Sequence, residues 1–272
     1  LSGSNYPTPI TITLDDGYSM YAGREMSVDE QAYSALSSAL SAITADGVAY
    51  VHPTAEELKA CGLDNPAAVV EFTGNEETFK ISAGNLTANK QYYVMLDGRD
   101  VIYLLDQSSA SPWVENSIYN LRSKFVALPM ITDVDTLTVS FDGTDNIFHL
   151  TRTKNEEQST EDKIVYDYEV TGNGTPLTYD NNFKKYYQTI IAVQLLEYTD
   201  QKPEGEPEVV LTYHYYDDLN KADDIVKFYR DGDRRYVVEL NGVVEGLVNV
   251  NDVEYFKENT YKMLKDETIV TR

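Results

Sequence analysis

Three histidines are the residues of this sequence best suited to metal binding or acid–base catalysis, because imidazole titrates near neutral pH and ligates transition metals. They are His52, His149 and His214. Their spacing matches no HExxH or other metal-binding motif, and they fall far apart in different parts of the chain. His149, between Phe148 and Leu150, lies on the polar side of a predicted strand. The histidines therefore predict no metal site and no shared catalytic centre.

Two aspartate-containing segments carry the residue types that calcium prefers. They are Asp133–Asp135 and Asp142–Asp145. A calcium-binding EF-hand loop has about twelve residues and is closed by a glutamate, and neither segment continues in that way. We therefore predict polar turns there rather than a calcium site.

The single cysteine, Cys61, excludes an intrachain disulfide and a cysteine-based zinc cluster. With Leu58 it falls on the apolar side of a short predicted helix, so we expect a buried, unreactive thiol rather than a nucleophile. The sequence also lacks the Walker, GxGxxG and GxSxG motifs of nucleotide-binding proteins and hydrolases. It thus identifies no catalytic, cofactor-binding or metal-ligating residue, and it implies no cofactor.

Tyrosine is the one unusual enrichment, with 22 residues that include the adjacent pairs Tyr92–Tyr93, Tyr186–Tyr187 and Tyr215–Tyr216. On strands, tyrosine commonly covers a half-buried face with its hydroxyl in water, and this is our expectation here. The alternative is an exposed aromatic platform for a glycan or a peptide. The 45 acidic residues are too many for any two to be selected as the acid and base of a glycosidase.

The charge of the chain excludes several classes of partner. Its 45 Asp and Glu residues against 22 Lys and Arg residues give a formal net charge of −23 at pH 7. Such a surface repels nucleic-acid phosphates and anionic lipid head groups, so we expect no nucleic-acid partner and no direct binding to a membrane surface. The sequence begins at Leu1, and we expect a signal or anchor segment to precede it in the natural protein.

These residues are positioned by a predicted unit of four strands and a helix that extends from Gly62 to Phe125. Apolar residues alternate with polar ones and are interrupted by glycine, which is typical of antiparallel strands and hairpins. The predicted strands and turns are Val69–Thr73, the turn Gly74–Asn75, Thr78–Ser82, Tyr92–Leu96, the turn Asp97–Gly98 and Val101–Leu105. The helix is predicted to begin at Ser111–Pro112 and to run to Phe125.

The same order of elements recurs twice downstream. Helices are predicted to open at Pro112, Asn181 and Asp252, which are 69 and 71 positions apart. This spacing indicates internal duplication, with chance similarity of generic hairpins as the alternative. The predicted fold is therefore α+β, with tandem β-β-β-β-α repeats whose antiparallel sheets of about four strands are each covered by a helix on one face.

The N-terminal segment reads as half of this unit. A strand at Ile10–Leu14, a turn at Asp15–Gly17 and a strand at Tyr18–Tyr21 precede a helix that Ser27 and Glu30 would cap. It is either a terminal cap or the second half of a repeat that begins upstream.

Two boundaries divide the predicted repeats, one near Pro129 and one in the linker-like segment Gln201–Pro207. Residues 1–128 would hold the half repeat and the first complete repeat, residues 129–202 the second repeat and residues 203–272 the third.

The half repeat is expected to dock on the first complete one, because an isolated hairpin is marginally stable in water. The side chains expected to share that core are Val28, Leu36, Leu40 and Ile43 of the half repeat and Leu58, Val70 and Phe72 of the first complete repeat. Trp113, the only tryptophan, is expected to pack against the sheet as a core residue rather than to form a sugar platform.

Five segments of the first complete repeat resemble one known family. They are Cys61–Pro66, Val69–Phe72, Phe79–Gly84, Tyr92–Val94 and Val101–Leu104. Together they resemble the bacterial domain of unknown function 4340 family, whose pattern runs from an aromatic residue and Gly-Leu-Asp-x-Pro through a strand ending in Ile-Gly to Tyr-Tyr-Val and a Val-Tyr-Leu strand.

The resemblance is closest over residues 55–125 and has two departures. Cys61 stands where the family has an aromatic residue, and Ala83 separates Ile81–Ser82 from Gly84. The resemblance implies an N-terminally anchored bacterial envelope protein, encoded beside components of an ABC transport system associated with gliding motility. It implies no catalytic residue.

The resemblance, the acidic surface and the missing catalytic constellation together predict a non-enzymatic extracytoplasmic module that binds or scaffolds envelope or transporter proteins. We expect it to be held at the membrane only through an N-terminal segment that this chain lacks. The alternative, from another class, is a carbohydrate-binding or carbohydrate-active protein that uses a Tyr-rich acidic cleft.

Overall fold

The computed structural model describes residues 1–13, 18–21, 24–74 and 77–271. The predicted turn at Asp15–Gly17 and the Asn75 position of the second predicted turn lie outside these residues. The chain forms two compact units, Leu1–Ser123 and Lys124–Arg272. Both units combine helices with antiparallel sheets, which confirms the predicted α+β class.

The described residues of unit 1 form eight strands and four helices. The strands are β1 Ile10–Thr13, β2 Tyr18–Tyr21, β3 Arg24–Ser27, β4 Gly47–Val51, β5 Ala68–Gly74, β6 Glu77–Leu86, β7 Gln91–Leu96 and β8 Val101–Asp106. The helices are α1 Glu30–Ser41, α2 Ala55–Ala60, α3 Gln107–Val114 and α4 Ile118–Leu121. Strands β1 to β3 form a three-stranded sheet, and the others form a five-stranded sheet in the order β4-β8-β7-β6-β5. The strand predictions for the first complete repeat are thus confirmed.

The start of α1 differs from the prediction. Ser27 pairs with Tyr18 at the end of β3 and lies two residues before the first residue that can cap the helix. The cap is Asp29, whose carboxylate accepts hydrogen bonds from the backbone amides of Gln31 and Ala32.

The helix predicted from Ser111 to Phe125 is wrong in its bounds. Helix α3 begins earlier, where the Asp106 carboxylate accepts a hydrogen bond from the amide of Ser108. Pro112 therefore lies inside the helix, where it has no N–H to donate, and α3 ends two residues later at Val114. The chain then forms the separate short helix α4, so two short helices replace one long helix.

The described residues of unit 2 form nine strands, two α-helices, a π-helical turn at Tyr179–Phe183 and a short 3₁₀ turn at Asp217–Leu219. The strands are β9 Val134–Phe141, β10 Thr144–Lys154, β11 Tyr166–Gly172, β12 Thr175–Leu177, β13 Leu195–Glu197, β14 Val209–Tyr215, β15 Asp224–Asp231, β16 Arg235–Leu240 and β17 Val243–Asn249. The helices are α5 Lys184–Ile191 and α6 Val250–Met263.

All nine strands belong to one antiparallel sheet, in the order β12-β11-β10-β9-β14-β15-β16-β17-β13. The prediction of a separate sheet of about four strands in each repeat is therefore wrong for this part of the chain. The reason is that β9 and β14 pair with each other, with Leu211 opposite Val139, instead of each remaining at an exposed edge.

The two helices of unit 2 also begin away from the predicted positions. Asn181 has a left-handed φ of 61° inside the π-helical turn, so α5 begins only at Lys184. Helix α6 begins at Val250, two residues before the predicted Asp252, because Asn249 caps it. The helices pack together through a hydrogen bond of 2.8 Å between the hydroxyls of Tyr186 and Thr260.

The core of unit 2 lies on one face of the sheet. Alternate side chains of β9, β10, β14 and β15 are fully or almost fully buried there, as are the facing side chains of α5 and α6. The largest of these side chains are Phe148, Phe183, Tyr186, Tyr187, Tyr213, Tyr215, Phe228, Tyr236 and Phe256. Unit 2 thus closes its apolar face with aromatic rings.

Candidate functional site

An apolar groove in unit 1 is the strongest candidate site in the described part of the chain. It lies between the five-stranded sheet and the C-terminal end of α1, and its volume is about 530 Å³. Apolar side chains from α1, the segment after it and strands β5 to β7 line it, among them Leu40, Ile43, Phe72, Phe79 and Leu96. Ile43, Phe72 and Phe79 keep 38%, 37% and 50% of their surface exposed. Pockets with this lining bind apolar ligands.

Burial along β5 and β6 shows where the cover of the sheet ends. Three pairs of apolar residues lie directly opposite each other on these strands, on one face of the sheet. In order along the strands they are Ala68 with Ala83, Val70 with Ile81, and Phe72 with Phe79. The first two pairs are buried and the third is exposed. The apolar face therefore continues beyond the part of the sheet that is covered.

The length of α3 explains this open end. Helix α3 packs on β5, β7 and β8, and its eight residues span only about 12 Å. Strand β6 has ten residues and spans about 33 Å. A short helix therefore cannot cover the whole apolar face.

Arg99 is the only charged side chain among the described residues that line the groove. It follows the β7–β8 turn, where its amide donates to the carbonyl of Leu96. Arg99 forms no ion pair with any residue in the described ranges. The adjacent carboxylate of Asp100 is bound to His52, with Oδ2 2.6 Å from the imidazole Nδ1.

Few polar side chains are present among the described residues that line the groove. Besides Arg99, they are Ser41 and Tyr103. No histidine, cysteine or carboxylate belongs to this described lining.

The sheet of unit 2 brings together two histidines that the sequence separates. His149 on β10 and His214 on β14 both lie opposite Thr136 of β9, so they share one row and one face. His149 and His214 are far apart in the sequence but lie on either side of β9 in the sheet, because the pairing of β9 with β14 is a long-range contact. Each Nδ1 faces an aspartate, His149 at 3.3 Å from Asp135 and His214 at 2.8 Å from Asp223.

The carboxylates around His214 favour its protonated form. The hydrogen bond that the His214 imidazole donates to the Asp223 carboxylate raises the pKa of His214, and the charges of Asp135 and Asp217 raise it further. Within the residues that the structure describes, no group of three or more His, Cys, Asp or Glu side chains is arranged to hold a metal ion.

The Gly-Leu-Asp motif terminates α2 and fits it onto β6. Gly62 has a φ of 72°, its amide donates to the carbonyl of Lys59, and the amide of Leu63 donates to the carbonyl of Leu58, which is a Schellman helix end. A Cβ on Gly84 would lie 2.0 Å from the carbonyl oxygen of Cys61. Gly62 thus ends the helix, and Gly84 allows the close backbone contact between α2 and β6. Burial raises the pKa of the Cys61 thiol.

The two candidate calcium segments have structural roles. Asp142 and Gly143 both have positive φ, 52° and 71°, and form the two-residue turn between β9 and β10. Asp133 precedes β9, and its amide donates to the carbonyl of Met130. Asp135 is the extra residue of a β-bulge, because His214 lies opposite Thr136 while Tyr215 lies opposite Val134.

The tyrosine clusters of unit 2 are mostly core residues. Tyr186, Tyr187, Tyr213 and Tyr215 are almost completely buried, in contrast to the expectation of half-buried rings with hydroxyls in water. Three of these hydroxyls have partners inside the protein: that of Tyr186 bonds to the Thr260 hydroxyl, that of Tyr187 donates to the carbonyl of Pro129 at 2.9 Å, and that of Tyr215 donates to the Asp224 carboxylate. Burial raises the pKa of each of these four tyrosines.

Trp113 is fully buried, which confirms it as a core residue. Its carbonyl accepts a hydrogen bond of 2.7 Å from the hydroxyl of Tyr6. Burial raises the pKa of Tyr6 to about 12. The N-terminal segment and α3 thus close one end of unit 1, while the groove remains open at the other.

The match of a family sequence model decides the relationship of this chain to known proteins. The model described as domain of unknown function (DUF4340) matches residues 19–208, which is more than half of the chain. The chain belongs to this family. No curated protein and no solved structure matches it.

The DUF4340 match takes in the groove, since Leu40, Ile43, Phe72, Phe79 and Arg99 all fall within it. It ends at the residue before β14. None of the helices in the described ranges is both long enough and apolar enough to cross a membrane.

Sequence reasoning identified the groove residues only as part of a core. Leu40, Ile43, Val70 and Phe72 do come together as expected, but they line an open groove, and Leu58 is not part of its lining. The signal that could have revealed it is the pair of phenylalanines beside the β5–β6 connection, beyond the reach of a helix as short as α3.

Proposed function

We propose that this DUF4340 chain is a non-enzymatic binding module and that the groove of unit 1 is its ligand site. The observation that carries the proposal is the opposed pair Phe72 and Phe79, which the fold leaves exposed beside an apolar concave wall. Covering the exposed part of each ring would contribute about 1 kcal/mol to binding. The ligand is expected to present an apolar chain to this wall.

We further propose that the module belongs to a bacterial envelope protein and acts as an accessory of an ABC transport system. Membership of the DUF4340 family supports this proposal through the genomic and membrane associations that the motif resemblance implies. An apolar ligand site would suit a module that presents a poorly soluble compound, or its carrier, to a transporter. Its partners would then be envelope or transporter proteins.

The carbohydrate alternative receives less support from the side chains that motivated it. Tyr186, Tyr187, Tyr213 and Tyr215 are buried, so they offer no aromatic platform to a sugar. The groove itself has no carboxylate in its described lining.

We also propose that the chain arose by tandem duplication of a β-β-β-β-α unit. The order of elements supports this: β5 to β8 are followed by α3, β9 to β12 by α5, and β14 to β17 by α6. In unit 2 the two strand groups run outward from the β9–β14 pair in matching order. Each of the two repeats in unit 2 thus contributes its first strand to the centre of the nine-stranded sheet.

Binding of a neutral, environment-sensitive dye such as Nile red tests the groove as the ligand site. The unmodified chain should bind the dye with increased emission, and Phe72→Ser with Phe79→Ser should reduce its affinity at least about tenfold, since about 2 kcal/mol of contact is lost. Ile147→Ser is the matched control, because Ile147 is 44% exposed on β10 in unit 2. Equal dye binding by all three proteins would contradict the proposal.

Crosslinking in the native bacterium tests the proposed location and partners. The full-length protein should co-purify with identified envelope or transporter proteins after crosslinking. Recovery of only cytoplasmic proteins would contradict the proposed envelope location. It would not test the proposal that the groove is the ligand site.

A further inference from the structure

Arg99 is the one charged residue among the described residues that line the groove, and it restricts the ligand more narrowly than the apolar wall does. We propose that the groove binds a single-chain amphiphile with an anionic head group, the chain lying against Phe72 and Phe79 and the head group pairing with Arg99. This inference rests on the proposed function, since it requires the groove to be the ligand site.

The position of Arg99 is the first observation that supports an anionic head group. Its side chain lines the same groove as the exposed phenylalanines, and it has no ion-pair partner among the residues that the structure describes. A guanidinium presents a planar set of N–H donors that matches the two oxygens of a carboxylate or the oxygens of a phosphate. The nearest acidic neighbour in sequence on its C-terminal side, Asp100, already binds His52.

The net charge of unit 1 further restricts the class of ligand. Unit 1 carries 16 acidic residues against 6 basic ones, counted over residues 1–123. Such a field opposes the approach of anions, so a free inorganic anion would gain little from one arginine. Affinity must therefore come mainly from the apolar chain, with Arg99 selecting the head group at the end of the groove.

The size of the groove supports one chain rather than a bulky lipid. Its volume of about 530 Å³ falls in the lower half of the range of roughly 300 to 1,000 Å³ that small-molecule sites occupy. One cation on the wall also matches one anionic group. Long-chain carboxylates are the simplest compounds of this class, and monoalkyl phosphates share the same chemistry.

Three probes with the same chain and different head groups test the inference: dodecanoate, dodecanol and dodecyltrimethylammonium, each below its micellar concentration. Their affinities are measured by displacement of Nile red and by calorimetry. We expect dodecanoate to bind about tenfold more tightly than dodecanol, because a charged hydrogen bond is gained. The ammonium probe should bind most weakly, although the net charge of the protein favours cations in general.

Variants at Arg99 assign the preference to one side chain. Arg99→Gln should lower dodecanoate affinity about tenfold, to that of dodecanol, and leave dodecanol unchanged; Arg99→Lys should give an intermediate value. Lys80→Gln is the matched control, because Lys80 is exposed on β6 outside the groove lining. Adding dodecyl phosphate distinguishes a preference for carboxylate from a preference for any anionic head group.

The outcomes separate this inference from the proposed function. If dodecanol or the ammonium probe binds as tightly as dodecanoate, or if Arg99→Gln changes nothing, the assignment of an anionic head group is overturned while the groove stands as an apolar site. If none of the probes binds and the phenylalanine variants behave as the unmodified chain, both proposals fail.

Discussion

Units 1 and 2 place helices on the apolar face of an antiparallel sheet, but they complete that face differently. In unit 2, α5 and α6 bring aromatic rings such as Phe256 and Tyr186 against the sheet, and both of these rings are fully buried. In unit 1, the short helix α3 covers one end, and Phe72 and Phe79 remain exposed at the other. Aromatic residues therefore stabilise the fold in unit 2 and are free to bind in part of unit 1.

A phenylalanine-to-alanine substitution in each unit is the most direct test of this difference in burial. Phe256→Ala in unit 2 removes a fully buried ring and should lower the free energy of unfolding by about 3 to 5 kcal/mol. Phe79→Ala in unit 1 should lower it by less than about 1 kcal/mol, since half of that ring is already in water. Urea unfolding followed by circular dichroism measures both. Similar losses would show that the groove is closed in solution.

The covered end of unit 1 should behave like unit 2. Trp113→Ala should cost about 3 to 5 kcal/mol, because the indole is fully buried beside α3. In the unmodified chain, Trp113 is the only tryptophan, so the emission spectrum reports on this position alone. Blue-shifted emission that iodide quenches poorly is expected. Red-shifted, easily quenched emission would mean that both ends of the unit 1 sheet are open.

The contribution of buried tyrosine hydroxyls sharpens the description of unit 2. Tyr186→Phe removes the hydrogen bond to Thr260 between α5 and α6 and should cost about 1 kcal/mol. Tyr261→Phe is the control, because its ring is 48% exposed and its hydroxyl lies 3.4 Å from Asp142; its effect should stay within about 0.5 kcal/mol. Thermal unfolding of the two variants measures both effects. Equal effects would contradict a stabilising role of the buried hydrogen bond between Tyr186 and Thr260.

The smallest expected effect concerns acid stability, which should differ between variants of unit 2. Hydrogen bonds from the hydroxyl and amide of Thr178 and from Asn182 lower the pKa of Asp266. Because the folded-state pKa lies below the unfolded value of about 3.9, this contribution is present above pH 4 and is lost as the pH falls through the folded-state pKa.

Asp266→Asn should therefore lower the melting temperature slightly at neutral pH, and the difference from the unmodified chain should shrink as the pH falls below about 4. Thermal melts at several pH values measure the trend. A difference that stays constant or grows on acidification would contradict this role of Asp266.

Local signals in the sequence were sufficient for most strands and turns. Alternation predicted the ends of β5 to β8 to within four residues, and the Thr54–Glu57 capping box and the glycine at position 62 are local sequence features that bound α2 in the structure. These features depend on residues a few positions apart, so they can be derived from the sequence. Helix starts failed where a competing local partner took over, as Asp29 and Asp106 did for α1 and α3.

The sequence by itself thus determined the α+β class, the positions of most strands, the acidic surface and the family to which the chain belongs. Only the tertiary structure decided that β9 pairs with β14, that His149 and His214 share one row, and that Phe72 and Phe79 stay open beside Arg99. The physical reason is that strand order and helix cover depend on contacts between residues far apart in the chain. Periodicity shows which face of a strand is apolar, but not whether another element is long enough to cover it.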